Sequence, residues 1–427
     1  MAAAATATDR FRPDGPYAWW RLLVSICVAA VGGVGMWSTI VVLPYIETDF
    51  GLDRGGSSLP YTLSMIGFAL GGMVMGRLVD RFGVAVPVAL GAVMLCIGYV
   101  ASAFVTAYWQ FLAVQAVVIG FLGSSVSFGP VVADVSLWFR KRRGIAVALA
   151  ASGNYLAGMI WSPLIQAAVA EVGWRQTHIG IGIICVVLMI PAALLLRRRP
   201  DLSEDDLPAP GATPAPPGQV AQVPLSPRTL QLLLMVAGIS CCVAMAMPQV
   251  HIVAYCVDLG FGPARGAEML SVMLGLGIVS RLVSGVIADK IGGLRTLILG
   301  SGLQMLALTL YLPFDGLMPL FIVSAIFGLS QGGIVPSYAL IVREYFPARE
   351  AGARVSFTLM VTVLGMALGG WLSGEIYDLT GSYQAAFLNG IAWNFLNLMI
   401  AIWLLTASRP KRDPGARRGR RSGVAPA

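Results

Sequence analysis

Charge is scarce in this sequence. Only 12% of its 427 residues are Asp, Glu, Lys or Arg, against roughly 25% in soluble globular proteins. A water-soluble fold of this size could not cover its surface with so few. Histidine is scarcer still: His178 and His251 are the only two, so neither an HExxH pair nor a Cys/His zinc spacing exists. The six cysteines, at 27, 96, 185, 241, 242 and 256, all lie inside apolar runs. They read as packing residues rather than a disulfide or metal framework. The apolar runs hold no paired carboxylates. Gly328-Leu-Ser330-Gln-Gly332 fits GxSxG, but it sits inside an apolar run and not at a strand-to-helix elbow. No enzyme and no cofactor are expected. The opening MAAAATATDRFRPDG lacks the charged-then-apolar order of a cleaved signal peptide, so the first apolar run, from about Trp19, reads as a retained helix.

What fills the chain instead is apolar residues, 57% of the total. A membrane-spanning helix needs about 20 mostly apolar residues. Such stretches fall at about 18–45, 59–79, 84–105, 109–134, 143–168 and 175–196, and again at about 229–256, 265–288, 295–313, 317–342, 352–377 and 384–407. The expected fold is an all-α membrane protein of twelve transmembrane helices. Residues 197–228, charged and then rich in Pro, Ala and Gly, read as a flexible linker. The organisation is a tail (1–17), a six-helix bundle (18–196), the linker (197–228), a second six-helix bundle (229–407) and a basic tail (408–427).

Basic residues set the orientation. With the N-terminus inside, 25 of the 29 Lys and Arg fall on inside segments and three, Arg54, Arg175 and Arg265, outside. Such a bias places both termini in the cytoplasm of a multi-pass cell (inner) membrane protein. The net charge of +8 needs no nucleic acid, since seven positive charges lie in Arg409–Arg421, a tail suited to anionic lipid headgroups.

The halves repeat each other. Gly76-Arg-Leu-Val-Asp80-Arg-Phe-Gly83 recurs as Gly285-Val-Ile-Ala-Asp289-Lys-Ile-Gly292. Trp138-Phe139 through Gly158-Met159 recurs as Tyr345-Phe346 through Gly365-Met366, and Gly173-Trp-Arg-Gln176 as Gly381-Ser-Tyr-Gln384. All three anchors lie about 208 residues from their copies, which implies two pseudo-symmetric parallel repeats. Gly67xxxGly71 with Gly72xxxGly76, echoed by Gly365xxxGly369 with Gly370xxxGly374, reads as packing surfaces that meet when a gate closes.

On these residues the chain resembles the major facilitator superfamily over 18–407. Gly76–Gly83 is similar to that superfamily's G-x-L-x-D-R-x-G loop motif. There Asp80 can cap a helix start, and Arg81 can pair across the interface between halves, with Asp289 and Arg140 as further gating candidates. A narrower resemblance is to the monocarboxylate transporters. Asp14-Gly-Pro-Tyr-Ala-Trp19 resembles their [DE]-G-[GS]-[WF]-[GA]-W, and Trp138-Phe-Arg140-Lys-Arg-Arg-Gly144-Ile-Ala146 with Gly153 and Gly158 resembles their helix-5 signature. Oxalate/formate antiporters are more distant relatives by this resemblance.

Arg281 is the one basic residue left inside an apolar run. It lies about 12 Å from the inner end of its helix, where a lone Arg is costly enough to need a cavity or a partner. Two readings stand: it holds a substrate carboxylate, or it snorkels and bonds helix-end carbonyls. The family resemblance implies the first, because monocarboxylate transporters carry a substrate-binding Arg at the matching place. The family's frequent Asp four residues earlier is Gly277 here, and its helix-1 Lys aligns with Trp37. His251, near Pro248, is a candidate for substrate binding and for the coupled proton, or bonds a neighbouring helix. His178 reads as structural. Gln115, Asn154, Tyr155, Gln331 and Tyr61 are neutral candidates for a cavity, or helix-to-helix glue.

The expected function is secondary transport of a small monocarboxylate by alternating access, with a proton as possible co-substrate and no metal. A monomer suffices for it. The antiporters' second cation has no counterpart, since 355–374 contains no Lys or Arg. An organic anion exchanger and a non-transporting membrane sensor on the same fold are the alternatives.

Overall fold

Inside a bilayer every backbone N–H and C=O must be paired locally, so long apolar runs become helices. A computed structural model describes residues 14–139, 142–198 and 225–407. Most of the expected N-terminal tail, linker and basic tail fall outside them. Every regular element among the described residues is helical. Eleven of these stretches are long and apolar enough to cross a membrane, and one of the eleven holds two crossings. It is the 53-residue run Arg143–Leu195, in which Gly173 takes φ 80° and ψ 162°. That backbone geometry is open to glycine alone, and it divides the run in two.

Twelve crossings result among the described residues. They are α1 (Pro16–Phe50), α2 (Arg54–Phe82), α3 (Ala85–Ala103), α4 (Tyr108–Trp138), α5 (143–172) and α6 (174–195), then α7 (Pro227–Asp258), α8 (Pro263–Ile291), α9 (Gly293–Leu310), α10 (Leu317–Tyr345), α11 (Ala348–Thr380) and α12 (Tyr383–Ala407). The repeat seen in the sequence is built into the turns. Gly83 and Gly292, the last residues of the duplicated loop motif, end α2 and α8 at φ 81° and 84°. Gly173 and Gly381 do the same after α5 and α11. Gly83 and Gly292 share one backbone conformation, with ψ 166° and 164°, whereas Gly173 at ψ 162° and Gly381 at ψ 14° share only the positive φ.

The central helices are interrupted. α1 breaks at Gly33, and α4 widens into a π-helical stretch, Val114–Gly123, followed by a 3-10 turn, Ser124–Ser127. α10 breaks at Gly332–Gly333. Irregular backbone in a membrane span is tolerated where protein or a cavity can satisfy it, so these breaks mark the interior of the molecule.

The bundles meet along two crossed pairs, α2 against α11 and α5 against α8. Where α1 and α4 begin and end, one buried ion pair fixes the first bundle. Arg21 Nε donates to Asp134 Oδ2 and Nη2 to Oδ1, both at 2.8 Å, and Nη2 also reaches the Leu196 carbonyl at 3.0 Å. The guanidinium lies 4.7 Å from the centre of the Trp138 ring. Both side chains are almost fully buried. Removing one partner strands the other charge, so Asp134→Leu is expected to destabilise the fold by about 3–5 kcal/mol. The double variant Arg21→Met/Asp134→Leu should recover most of that. Thermal unfolding of the detergent-solubilised chain decides it, and equal melting of the single variant and wild type would count against the pair.

Candidate functional site

The crossing helices leave one end of the molecule closed and the other apart. α1 begins and α12 ends at the end that carries most of the basic residues, here the basic end. At the far end Arg54, the first residue of α2, gathers groups from both bundles. Its Nη1 pairs with Glu47 at 2.9 Å, and its Nη2 pairs with Asp258 of α7. Its backbone N–H and that of Gly55 donate to the two carboxylate oxygens of Asp378 in α11, at 3.0 and 2.6 Å. The start of α2 thus offers its unpaired N–H groups to a carboxylate of the other bundle, where a helix N-terminus favours negative charge.

The glycine pattern divides according to this closure. Gly370 and Gly374 face the other bundle: a Cβ at Gly370 would lie 2.9 Å from the Tyr61 ring, and one at Gly374 would lie 2.6 Å from the Arg54 carbonyl oxygen. Gly72, Gly76 and Gly285, towards the basic end, have open space beside them. The expectation that both glycine pairs of each helix meet across a gate needs correction. Gly67 and Gly71 pack on the α4 backbone, and Gly365 and Gly369 on the α7 backbone, each within its own bundle. At the basic end Asp80, Arg81 and Asp289 are exposed. Asp80 caps no helix among the described residues; at the second copy of the loop Glu344 takes that role, accepting from Gly293 N–H at 2.8 Å. Arg140 lies outside the described residues.

Between the two ends, α5 and α8 bring a cluster together. Arg281 is 9% exposed. Its Nη1 donates to the Ala151 carbonyl at 2.6 Å, across the seam, and its Nε approaches the Gly332 carbonyl at 3.4 Å, at the break in α10. Its guanidinium carbon sits 4.2 Å from the centre of the Tyr155 ring, a favourable cation–π distance. No carboxylate pairs with it among the described residues. One turn back along α8, a Cβ at Gly277 would lie 3.1 Å from the Tyr155 ring and 3.5 Å from Gln331 Nε2. A larger residue at 277 would push the ring away from Arg281. Trp37 Nε1 donates to the Asn154 carbonyl at 3.0 Å and its side-chain oxygen at 3.2 Å, so α1 fixes the residue next to Tyr155. Gln331 in turn accepts from Gln249 of α7, which leaves Gln331 Nε2 and Gln249 Oε1 buried without partners.

Arg281, Tyr155 and Gln331 therefore share one place, with Gln249 added to them, while the Asn154 side chain turns to Trp37 of α1. The other candidates lie elsewhere. Gln115 is held inside the first bundle, where Ser64 donates to its carbonyl at 3.2 Å. Tyr61 sits in the α2–α11 closure with its hydroxyl unpaired. His251 Nε2 must carry its proton, because it donates to the Gly370 carbonyl at 2.8 Å; Nδ1 then accepts from the Tyr383 hydroxyl at 3.2 Å. It faces α11 and α12, while Gln249, two residues away on α7, faces α10. His178 hydrogen-bonds Ser102 at 2.7 Å among the rings of Tyr99, Phe111 and Trp174. Arg54 and Gln249 went unread in the sequence; Arg54 resembled an ordinary loop charge at a span end.

A family model described as Major Facilitator Superfamily matches residues 25–323 and 298–426. Monocarboxylate transporter 13 of Bos taurus is 27% identical over 385 residues, covering 88% of this chain and 86% of its own length. The MFS-type transporter opdF of Penicillium oxalicum is 27% identical over 369 residues, covering 85% and 84%. Among solved structures, a peptide transporter superposes with a TM-score of 0.70 at 14% identity, covering 95% of this chain and 99% of that one. At that identity the likeness is one of fold.

Proposed function

We propose, on the premise that the chain belongs to the Major Facilitator Superfamily, that it carries small organic monocarboxylates, lactate- or pyruvate-like, across the cell membrane by alternating access. The observation that supports this is the buried guanidinium of Arg281 at the seam between the bundles, without a carboxylate of its own among the described residues. A buried cation with no counter-ion is costly, and a substrate carboxylate would supply one in bidentate geometry. A single cation suits a monoanion. The monocarboxylate transporter among its relatives supports the same substrate class.

In this reading the basic end is cytoplasmic, with both chain termini on that side, and substrate reaches Arg281 from that side. Asp80, Arg81, Arg140 and Asp289 act when that end closes. The substrate's second polar oxygen falls to Gln331 and Asn154. The chain works as a monomer, and a proton is the second substrate. His251 is the proton's acceptor: with Nε2–H given to Gly370, the proton goes to Nδ1, and Tyr383 then turns its hydroxyl from donor to acceptor. Both partners lie on α11 and α12, beside the far-end closure, which is where coupling must act.

The test is uptake of labelled L-lactate and pyruvate into proteoliposomes, with and without a proton gradient. Gradient-driven uptake that a protonophore collapses is the expected result. Counterflow unaffected by the gradient would move the reading to an exchanger, and no entry even into preloaded vesicles would overturn the substrate class. His251→Gln is expected to remove the gradient's stimulation and leave counterflow near wild type. Undiminished stimulation in that variant would place the proton elsewhere.

A further inference from the structure

We infer that the paired amides of Gln249 and Gln331 read the substituent on the substrate's second carbon, so that 2-hydroxy monocarboxylates are taken in preference to their 2-oxo counterparts. The inference rests on the proposed seating of a substrate carboxylate at Arg281.

The two amides meet from α7 and α10, and both side chains are fully buried. Gln249 Nε2 donates to Gln331 Oε1. That single bond leaves Gln249 Oε1 and Gln331 Nε2 without a partner among the described residues. A buried polar group left unpaired is costly, and native proteins keep few of them. Here the two come as a matched set, one acceptor and one donor on amides that touch. The match does not depend on which way the amides point. Exchanging O and N in both reverses the shared bond and again leaves one donor and one acceptor free.

This set stands beside Arg281. A Cβ at Gly277 would lie 3.5 Å from Gln331 Nε2 and 3.1 Å from the Tyr155 ring, the ring whose centre is 4.2 Å from the Arg281 guanidinium carbon. Arg281 Nε also approaches, at 3.4 Å, the carbonyl of Gly332, the residue that follows Gln331. A carboxylate held by the guanidinium therefore brings its neighbouring carbon to the amide pair. A hydroxyl on that carbon both donates and accepts, so one oxygen satisfies Gln249 Oε1 and Gln331 Nε2 together. A keto oxygen only accepts, which leaves the glutamine oxygen unpaired. An unsubstituted acid leaves both unpaired. Sites built to bond a hydroxyl reject analogues that lack it, for this reason.

The experiment compares initial uptake of labelled L-lactate, pyruvate and propionate into proteoliposomes at equal concentrations far below saturation, with uptake into protein-free vesicles subtracted. The ratios of rates are then ratios of kcat/KM. Lactate should exceed pyruvate by about 10-fold and propionate by about 100-fold, because each orphan left buried costs about one power of ten. The double variant Gln249→Met/Gln331→Met keeps the side-chain length and removes every amide group. Its three rates should lie within about 3-fold of one another. An amide pair that merely joined α7 to α10 would instead slow all three acids by one factor and leave their ratios unchanged, which overturns the inference. In wild type, equal rates for lactate and pyruvate or a preference for pyruvate overturn it too, with no variant needed, and leave the carboxylate reading standing. Entry of none of the three acids overturns both.

Discussion

Arg281→Gln is expected to abolish the proposed carboxylate uptake, lowering kcat/KM by at least about 100-fold, while the protein remains folded and inserted. The size follows from the bonds removed. A hydrogen bond to a charged group contributes about 1.5–3 kcal/mol, and a guanidinium can give a carboxylate two. Losing both removes about 3–6 kcal/mol, or two to four powers of ten. The fold should tolerate the change, because an amide at position 281 still offers an N–H where Arg281 Nε now approaches the Gly332 carbonyl at 3.4 Å. Arg281→Lys separates charge from geometry. Lysine keeps the positive charge but neither the fork nor the flat face that lies 4.2 Å from the Tyr155 ring centre, so an intermediate loss is expected. A purely structural clasp between α5 and α8 predicts the reverse pattern. Thermal stability would then fall in Arg281→Gln, and uptake per folded molecule would stay normal. Uptake and melting temperature measured on the same preparations separate the two.

The twelve crossings were legible in the sequence because apolar runs in lipid have one local solution, and the positive-φ glycines of the repeat mark where the helices stop. Arg281 was legible for a similar reason: a lone charge in a long apolar run has no cheap explanation. Partnership was not legible. Asp134 fell at the edge of an apolar run and looked like a boundary, whereas it ends up buried against Arg21, 113 residues away. Nothing in the local pattern of either residue names the other. Gln249 and Gln331 likewise announce only that they are amides in helices; they meet one residue before the break in α10 at Gly332. The small-residue pattern told which faces approach something closely, but not whether that something was the same bundle or the opposite one. Only the packed helices separate Gly365 and Gly369 from Gly370 and Gly374.

Arg54→Leu should release the far end and turn the transporter towards its opposite state. Arg54 is the cation among Glu47 of α1, Asp258 of α7 and Asp378 of α11, and two of those three carboxylates belong to the other bundle. Its guanidinium also lies over the Tyr377 ring at 5.4 Å. Without it, closure forces Glu47 and Asp258 together in a partly dry place, while opening lets water solvate both. The closed arrangement alone is therefore destabilised. Breaking a buried pair costs about 3–5 kcal/mol, and about 3 kcal/mol suffices to move a population that is 99 in 100 closed to roughly even. Two reporter substitutions read this out in opposite directions. Gly76→Cys, beside open space at the basic end, should react several-fold more slowly with a membrane-impermeant maleimide when Arg54 is replaced. Ser57→Cys, now buried next to the cluster, should react faster. Arg54→Lys, which keeps a charge among the carboxylates, should fall between. If both rates stay at their wild-type values in Arg54→Leu, the far end is held by packing of α2 on Gly370 and Gly374, and the ionic cluster is not the latch.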